Sequence, residues 1–223
     1  MPDELRTAVT HSFTTWQWLT MVIALVLTLW SFKFRQSPSL VSDKRKQHLC
    51  LLAAICLIPL WILKAGLHPG LDIHFLGLTT LTLLLGWRLA AYSALATLIL
   101  LACHGEQPLA YIGLHALASI ALPVLISQTV YSLYLRHCPS NYFIYVFVCG
   151  FFAGGISMLA RHLFTASYFL VTGDYSTDII WQDFLSLWPL PIFPEALLNG
   201  MSIALLAIYK PHWLSQSDQD QWR

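Results

Sequence analysis

Apolar residues fall into long blocks separated by short polar breaks, and the spacing of those breaks sets the expected architecture. The first block runs from Trp16 to Phe32, with Trp16 and Trp18 at one end and Trp30 at the other, where interfacial aromatics are expected. A polar loop from Lys33 to His48 follows, then a second block from about Leu49 to Leu67. A third block ends at Leu85, and a fourth, Leu89 to Cys103, follows across only Trp87 and Arg88. His104, Gly105, Glu106 and Pro108 turn the chain into a fifth block, Leu109 to Leu135, which contains Pro123. The sixth runs from Tyr142 to about Val171, a polar and aromatic segment covers Thr172 to Trp188, and the seventh runs from Pro191 to Tyr209.

The third block does not fit a full span. Its entrance, Leu67 to His74, is a turn carrying His68, Pro69, Gly70, Asp72 and His74, and the apolar run from Phe75 to Leu85 follows. Eleven helical residues cover about 16 Å, roughly half of a bilayer core. The element is therefore short or re-entrant. Irregular backbone at such depth is tolerated only inside protein or against a water-filled cavity, so the other helices must surround it.

Composition turns this pattern into a class. With 57% hydrophobic residues, 10% charged residues and a mean hydropathy of +0.63, the chain is not a water-soluble domain. The expectation is one integral membrane domain over 1–223, an all-α polytopic bundle of about seven spans set in the lipid bilayer. Five loop residues, Lys33, Arg35, Lys44, Arg45 and Lys46, face a single acid, Asp43, which makes that loop cytoplasmic. The N-terminus then lies outside and the C-terminus inside. Nine of the twelve Lys and Arg residues fall on the inner side, the other four being Arg88, Arg136, Lys210 and Arg223. Eight acids, Asp3, Glu4, Asp72, Glu106, Asp174, Asp178, Asp183 and Glu195, fall on the outer side, a surface that attracts cations. The chain is expected in the inner (plasma) membrane as a multi-pass protein.

The same features exclude other classes. A net charge of +1, without interleaved basic clusters, gives no surface for nucleic acid. No CxxC pair occurs among the five cysteines, which read as small hydrophobes in a membrane core. The first fifteen residues, with Asp3, Glu4 and Arg6, lack the pattern of a cleaved signal peptide. No GxxxxGK[ST] loop is present, so active transport requires partner subunits that hydrolyse ATP.

Candidate chemistry gathers on the outer side. His11, His68, His74, His104, His115 and His162 lie there or a few turns into their spans, and neutral imidazole is a ligand for nickel, cobalt, copper and zinc. There is no HExxH and no local spacing that alone defines a metal site. His74 stands out because it opens the short block; His68 and Asp72 share its turn, giving His74, His68 and Asp72 as expected metal ligands. Glu195, about one turn inside the seventh block, and Arg161, deep in the sixth, must face the interior or water because a charge at that depth costs several kcal/mol. Pairing with each other would satisfy both. Asn199 shares a helical face with Glu195, and with Arg161 and His115 these residues form the expected ligand pocket. Gly150 and Gly154, four apart, supply a packing seam in the sixth block.

Three blocks resemble a known family: the membrane substrate-binding (S) components of energy-coupling-factor (ECF) transporters for cobalt and nickel, the CbiM/NikM type. They are GLDIHFLGLTTLTLLLGWRLA from Gly70 to Ala90, the small-residue helix from Gly113 to Leu135 ending VYSLYLR, and PEALLNGMSIALLAIYKPHWL at the close. Together they cover roughly residues 65–215. The resemblance implies a helical component that binds a divalent metal, cobalt, nickel or similar, on the outer side, holds no tightly bound cofactor, and docks to a transmembrane T component driven by two ATPases. It implies His74 as a ligand. In that family a histidine after the initiator Met also holds the metal; here Pro2 occupies that place, making this a divergent member without the N-terminal Met-His clamp. Two other readings remain at this point: an integral-membrane enzyme using the outer His/Glu/Arg cluster, which lacks a nucleophile, base and orienter set, and a ligand sensor, which lacks a soluble signalling domain.

Overall fold

A computed structural model of the chain describes residues 13–33, 44–66, 68–139, 141–210 and 213. Pro2, His11, most of the basic first loop and Arg223 lie outside the described residues. Among the described residues, seven principal helices and one small hairpin make up the framework. Helix α1 (Thr15–Lys33) and helix α2 (Lys44–Ile62) come first. Strands β1 (Lys64–Ala65) and β2 (Ile73–His74) then pair antiparallel, with Lys64 opposite His74 and Ala65 opposite Ile73. The helices α3 (Leu78–Leu85), α4 (Trp87–Cys103), α5 (Leu109–His137), α6 (Tyr142–Thr172) and α7 (Pro189–Tyr209) follow.

The short third element has a physical cause at each end. Gly77 enters α3 with φ 65° and Gly86 leaves it with φ 81° and ψ 156°, conformations that side-chain-bearing residues rarely adopt. Eight residues at 1.5 Å each give a helix of about 12 Å. It is wrapped on all sides: α2, α4, α5, α6 and α7 all pack against it, and Leu78, Thr82 and Leu83 are fully buried. A half-length helix inside a sleeve of longer ones keeps its frayed ends away from hydrocarbon.

Outside that centre the usual burial pattern is inverted. Leu25, Val26, Leu29, Leu51, Ile55, Leu133, Phe147, Leu163, Leu205 and Ile208 are exposed, whereas Thr79, Thr97, Ser119, Ser127, Arg161, His162, Glu195 and Asn199 are buried. An apolar exterior around a polar interior is what lipid as solvent selects. Three helical runs, Leu109–His137, Tyr142–Thr172 and Thr177–Tyr209, are long and apolar enough to cross a membrane; Thr15–Ser31, Gln47–Ile62 and Trp87–Cys103 are shorter apolar helices.

Close approach at glycine fixes the helix pairs. A Cβ on Gly113 of α5 would stand 2.5 Å from the Met21 nitrogen of α1. Gly150 of α6 meets Gly200 of α7, and Gly154 meets Asn199, so the expected seam is the α6–α7 contact. In α5 the turns widen to a π-helix over Ala116–Ala121. Pro123 follows and has no N–H to offer the Ser119 carbonyl, so the ladder shifts to accommodate it.

The segment Thr172–Trp188, polar and aromatic in sequence, is largely helical. It turns through Thr177–Ile179, Ile180–Phe184 and Leu185–Leu187, with Ser176 Oγ accepting from the Ile179 N–H at 3.4 Å as an N-cap. Ile180 and Phe184, four apart, are buried and give it one apolar face against Leu71, Leu114 and Phe169. The backbone breaks at Phe184 (φ −131°, ψ −62°) before α7 begins. This cap covers the hairpin.

Candidate metal centre

The hairpin, α5 and α6 bring four ionisable groups to one buried place. β2 ends at His74, Asp72 precedes it in the loop, His115 lies on the first α-helical turn of α5, and Arg161 lies midway along α6. Each is buried: Asp72 is 8% exposed, His74 and His115 3% each, and Arg161 1%. His115 Nε2 stands 3.6 Å from Asp72 Oδ1, His74 Nε2 3.8 Å from Asp72 Oδ2, and Arg161 Nη2 3.9 Å from Asp72 Oδ1. One ligand atom from each of Asp72, His74 and His115 lies within 4.8 Å of the others.

None of those carboxylate contacts is a hydrogen bond. Both Asp72 oxygens and His115 Nε2 are buried without a hydrogen-bond partner among the described residues. Leaving such groups unsatisfied costs about 1–3 kcal/mol each, more when charged. The separations have a simple geometry: two ligand atoms each about 2.1 Å from one ion stand about 3.4 Å apart at the tetrahedral angle and about 3.6–3.8 Å apart at 120–130°. Two imidazole nitrogens and a carboxylate suit a borderline transition-metal cation.

The surroundings fix the orientation of these candidate ligand groups. His74 Nδ1 donates to the Phe75 carbonyl at 2.9 Å, which leaves the Nε2 lone pair facing Asp72. Trp61 packs on the His74 ring at 5.4 Å and donates through its indole N–H to the Leu76 carbonyl at 3.3 Å. Burial, reinforced by the Arg161 guanidinium, pulls His74 well below the usual imidazole range and favours the neutral ring. Burial alone would raise the Asp72 carboxyl, but the nitrogen groups packed around it, with the Arg161 guanidinium carrying the permanent charge, outweigh it and hold Asp72 below the usual carboxylate range. Since His74 is neutral, Arg161 is the standing countercharge. It is itself held by donation from Nε to Ser119 Oγ and from Nη2 to the Asp72 carbonyl, each at 2.9 Å.

Beneath the cluster, α7 grips the turn into α3. Glu195 accepts from the Leu76 N–H through Oε2 and from the Gly77 N–H through Oε1, both at 2.8 Å. Asn199 donates to Glu195 Oε1 at 2.7 Å, and its own oxygen accepts from the Thr80 N–H and hydroxyl at 2.9 Å each. Above the cluster, the cap is latched by a contact of His68 Nε2 with Asp183 Oδ2 at 2.9 Å and by the Tyr175 hydroxyl donating to the Pro69 carbonyl at 2.8 Å. The His162 ring stacks on Phe184 at 4.3 Å. To one side, a cavity of about 400 Å³ bounded by Lys64, Ala65, Leu190 and Pro191 reaches His74. Lys64 also pairs with Glu106 at 3.8 Å.

Of the residues singled out in sequence, Asp72 and His74 stand together, joined by His115 and Arg161. His68 stands apart in the latch, and His104 caps its own helix by donating to the Leu100 carbonyl at 3.0 Å. Arg161 and Glu195 do not form a direct ion pair: one grips the hairpin loop and the other the turn after it. The sequence reading did not find Ser119, which anchors Arg161, or the Asp183 latch. A serine in an apolar helix and an acid in a cap carry no local signal of their partners, which lie 42 and 115 residues away.

An apolar shell, a sheathed half-helix and an ionisable interior define the class as an integral membrane helical bundle with buried polar machinery. More particularly, the chain belongs to the CbiM family, the cobalt uptake substrate-specific transmembrane region, whose family model matches residues 13–213. It is a transport component of a cobalt uptake system and not a member of an enzyme family. No curated protein and no solved structure matches the chain.

Proposed function

We propose that the chain is the substrate-capturing membrane component of an ECF-type ABC transporter for uptake of a divalent transition metal, cobalt or nickel, and that Asp72, His74 and His115 hold the ion. The observation that carries this reading is the Asp72 carboxylate, buried with neither oxygen hydrogen-bonded and with three nitrogens 3.6–3.9 Å away. A divalent cation among these atoms relieves the unsatisfied oxygens at once. The metal is cargo, so moderate rather than extreme affinity is required. Arg161 supplies that moderation: it keeps Asp72 tolerable between transport events and repels the ion that replaces it as countercharge. His68, on the outer latch, serves the cap rather than the coordination sphere.

In this account the molecule sits in the cell's inner membrane with about seven spans, the N-terminus outside and the C-terminus inside. The sidedness of Lys and Arg supports that orientation. The ion enters through the cavity beside Lys64 and Leu190. Since the chain carries no P-loop, energy comes from ATPase subunits acting through a T component.

The test is a calorimetric titration of purified protein with Co(II) and Ni(II), with Asp72→Ala and His115→Ala beside the natural sequence. Saturable one-to-one binding that falls at least about a hundredfold in both variants is expected. Binding unaffected by either change would overturn the assignment.

A further inference from the structure

His74 is one of the proposed ligands, and what it donates to is itself held by a charge. The peptide unit between Phe75 and Leu76 presents two groups in opposite directions. Its carbonyl, from Phe75, accepts the His74 Nδ1–H at 2.9 Å. Its N–H, from Leu76, donates to Glu195 Oε2 at 2.8 Å. A buried carboxylate, 1% exposed, therefore touches the imidazole through a single planar amide.

We infer that Glu195 is a positioning residue for His74, acting through the Phe75–Leu76 peptide to fix the ring's tautomer and make Nε2 a stronger donor to the metal. The inference rests on the metal reading above. Metal-bound histidines commonly donate their second ring nitrogen to a carboxylate or a backbone carbonyl, which sets ring orientation and raises ligand basicity. Here the two devices are joined in series. Negative charge on Glu195 polarises the amide, the amide carbonyl becomes a better acceptor, and electron density shifts towards Nε2; hydrogen-bonded chains strengthen one another in this way.

The remaining contacts orient the relay. Glu195 Oε1 accepts from the Gly77 N–H and from Asn199 Nδ2, so the carboxylate cannot rotate away from Leu76. Asn199 in turn is tied to the first turn of α3 through Thr80. Trp61 closes the other side, donating to the Leu76 carbonyl while packing on His74. Gly77 takes φ 65°, and this left-handed turn lets two successive N–H groups converge on one carboxylate.

Glu195→Gln is the direct test, because the amide keeps the volume, loses the charge and turns a donor towards one of the two backbone N–H groups. Co(II) affinity should fall about 10–100-fold, the range expected for partners behind a ligand. The visible ligand-field bands of the Co(II)-saturated variant should shift as well, a change that loss of general stability would not produce. A second measurement does not depend on the variant folding: ¹⁵N resonances of histidine-labelled natural protein without metal should show His74 protonated on Nδ1 and bare on Nε2. Co(II) binding by the natural protein, with an unaltered affinity and spectrum in Glu195→Gln, overturns the relay and leaves the metal site standing. A proton found on Nε2 overturns it too. No Co(II) binding by the natural protein refutes both readings together.

Discussion

Replacing Arg161 by Gln asks whether a resident cation and the transported one share the same carboxylate. Arg161 is 1% exposed, makes two hydrogen bonds of 2.9 Å, and stands 3.9 Å from Asp72 Oδ1. Glutamine can keep at most part of that bonding and none of the charge. Removing one partner of a buried ion pair costs about 3–5 kcal/mol, because the other is left uncompensated. For a protein of this size 1 kcal/mol corresponds to about 2–4 °C in Tm, so the metal-free variant should melt about 6–20 °C lower. Saturating Co(II) should recover much of that loss, since the ion becomes the countercharge. By linkage the variant then binds Co(II) more tightly than the natural protein, and a tenfold gain corresponds to about 1.4 kcal/mol. Uptake into vesicles should nevertheless slow, because release is harder. The assay is a thermal melt in detergent with and without Co(II), paired with calorimetry. A variant that Co(II) stabilises less than it stabilises the natural protein would refute the shared-carboxylate reasoning.

Three further outcomes follow from the same geometry. His115→Ala should lower Co(II) affinity about a hundredfold while His68→Ala leaves it within a few-fold, because His68 is bonded to Asp183 and not to the cluster; calorimetry that ranks them the other way round would move the site to the cap. Ala65→Trp should narrow the roughly 400 Å³ cavity beside His74 and slow Co(II) uptake by reconstituted transporter without changing equilibrium affinity, and unchanged uptake would close that route. Gly113→Ala should force α1 from α5, since the new Cβ falls 2.5 Å from the Met21 nitrogen; a loss of about 1–3 kcal/mol is expected in a melt, and a neutral result would contradict the packing.

The sequence carried the membrane class and the broken third element, because hydropathy and glycine placement act locally; the second helix, expected over Leu49 to Leu67, instead runs Lys44–Ile62, because the chain leaves it for the hairpin strand at Lys64. Gly77 and Gly86 are visible as punctuation, and the eight-residue helix they bracket is the consequence. Glu195, Asn199 and Arg161 were also conspicuous, since charge or amide in an apolar run demands a partner. Which partner was not legible. Arg161 and Glu195 looked like a pair but each is taken by a different backbone segment of the hairpin region, and backbone N–H and C=O groups leave no trace in side-chain chemistry. His115 and His74 lie 41 residues apart and meet where the hairpin and α5 converge on Asp72. Conversely, His68 shares the turn of His74 yet faces the cap, because the chain reverses at Gly70, whose φ of 84° and contact with Phe169 leave room for no side chain. Seven helices found by pattern therefore say little about which of nine histidines converge.

The central claim is tested most directly by extended X-ray absorption at the cobalt K edge of the Co(II)-loaded protein. One cobalt per chain with scattering from two imidazole rings and a carboxylate oxygen, and with the imidazole signal reduced to one ring in His115→Ala, is the expected result. A cobalt environment without imidazole, or one that is identical in His115→Ala, would contradict the account.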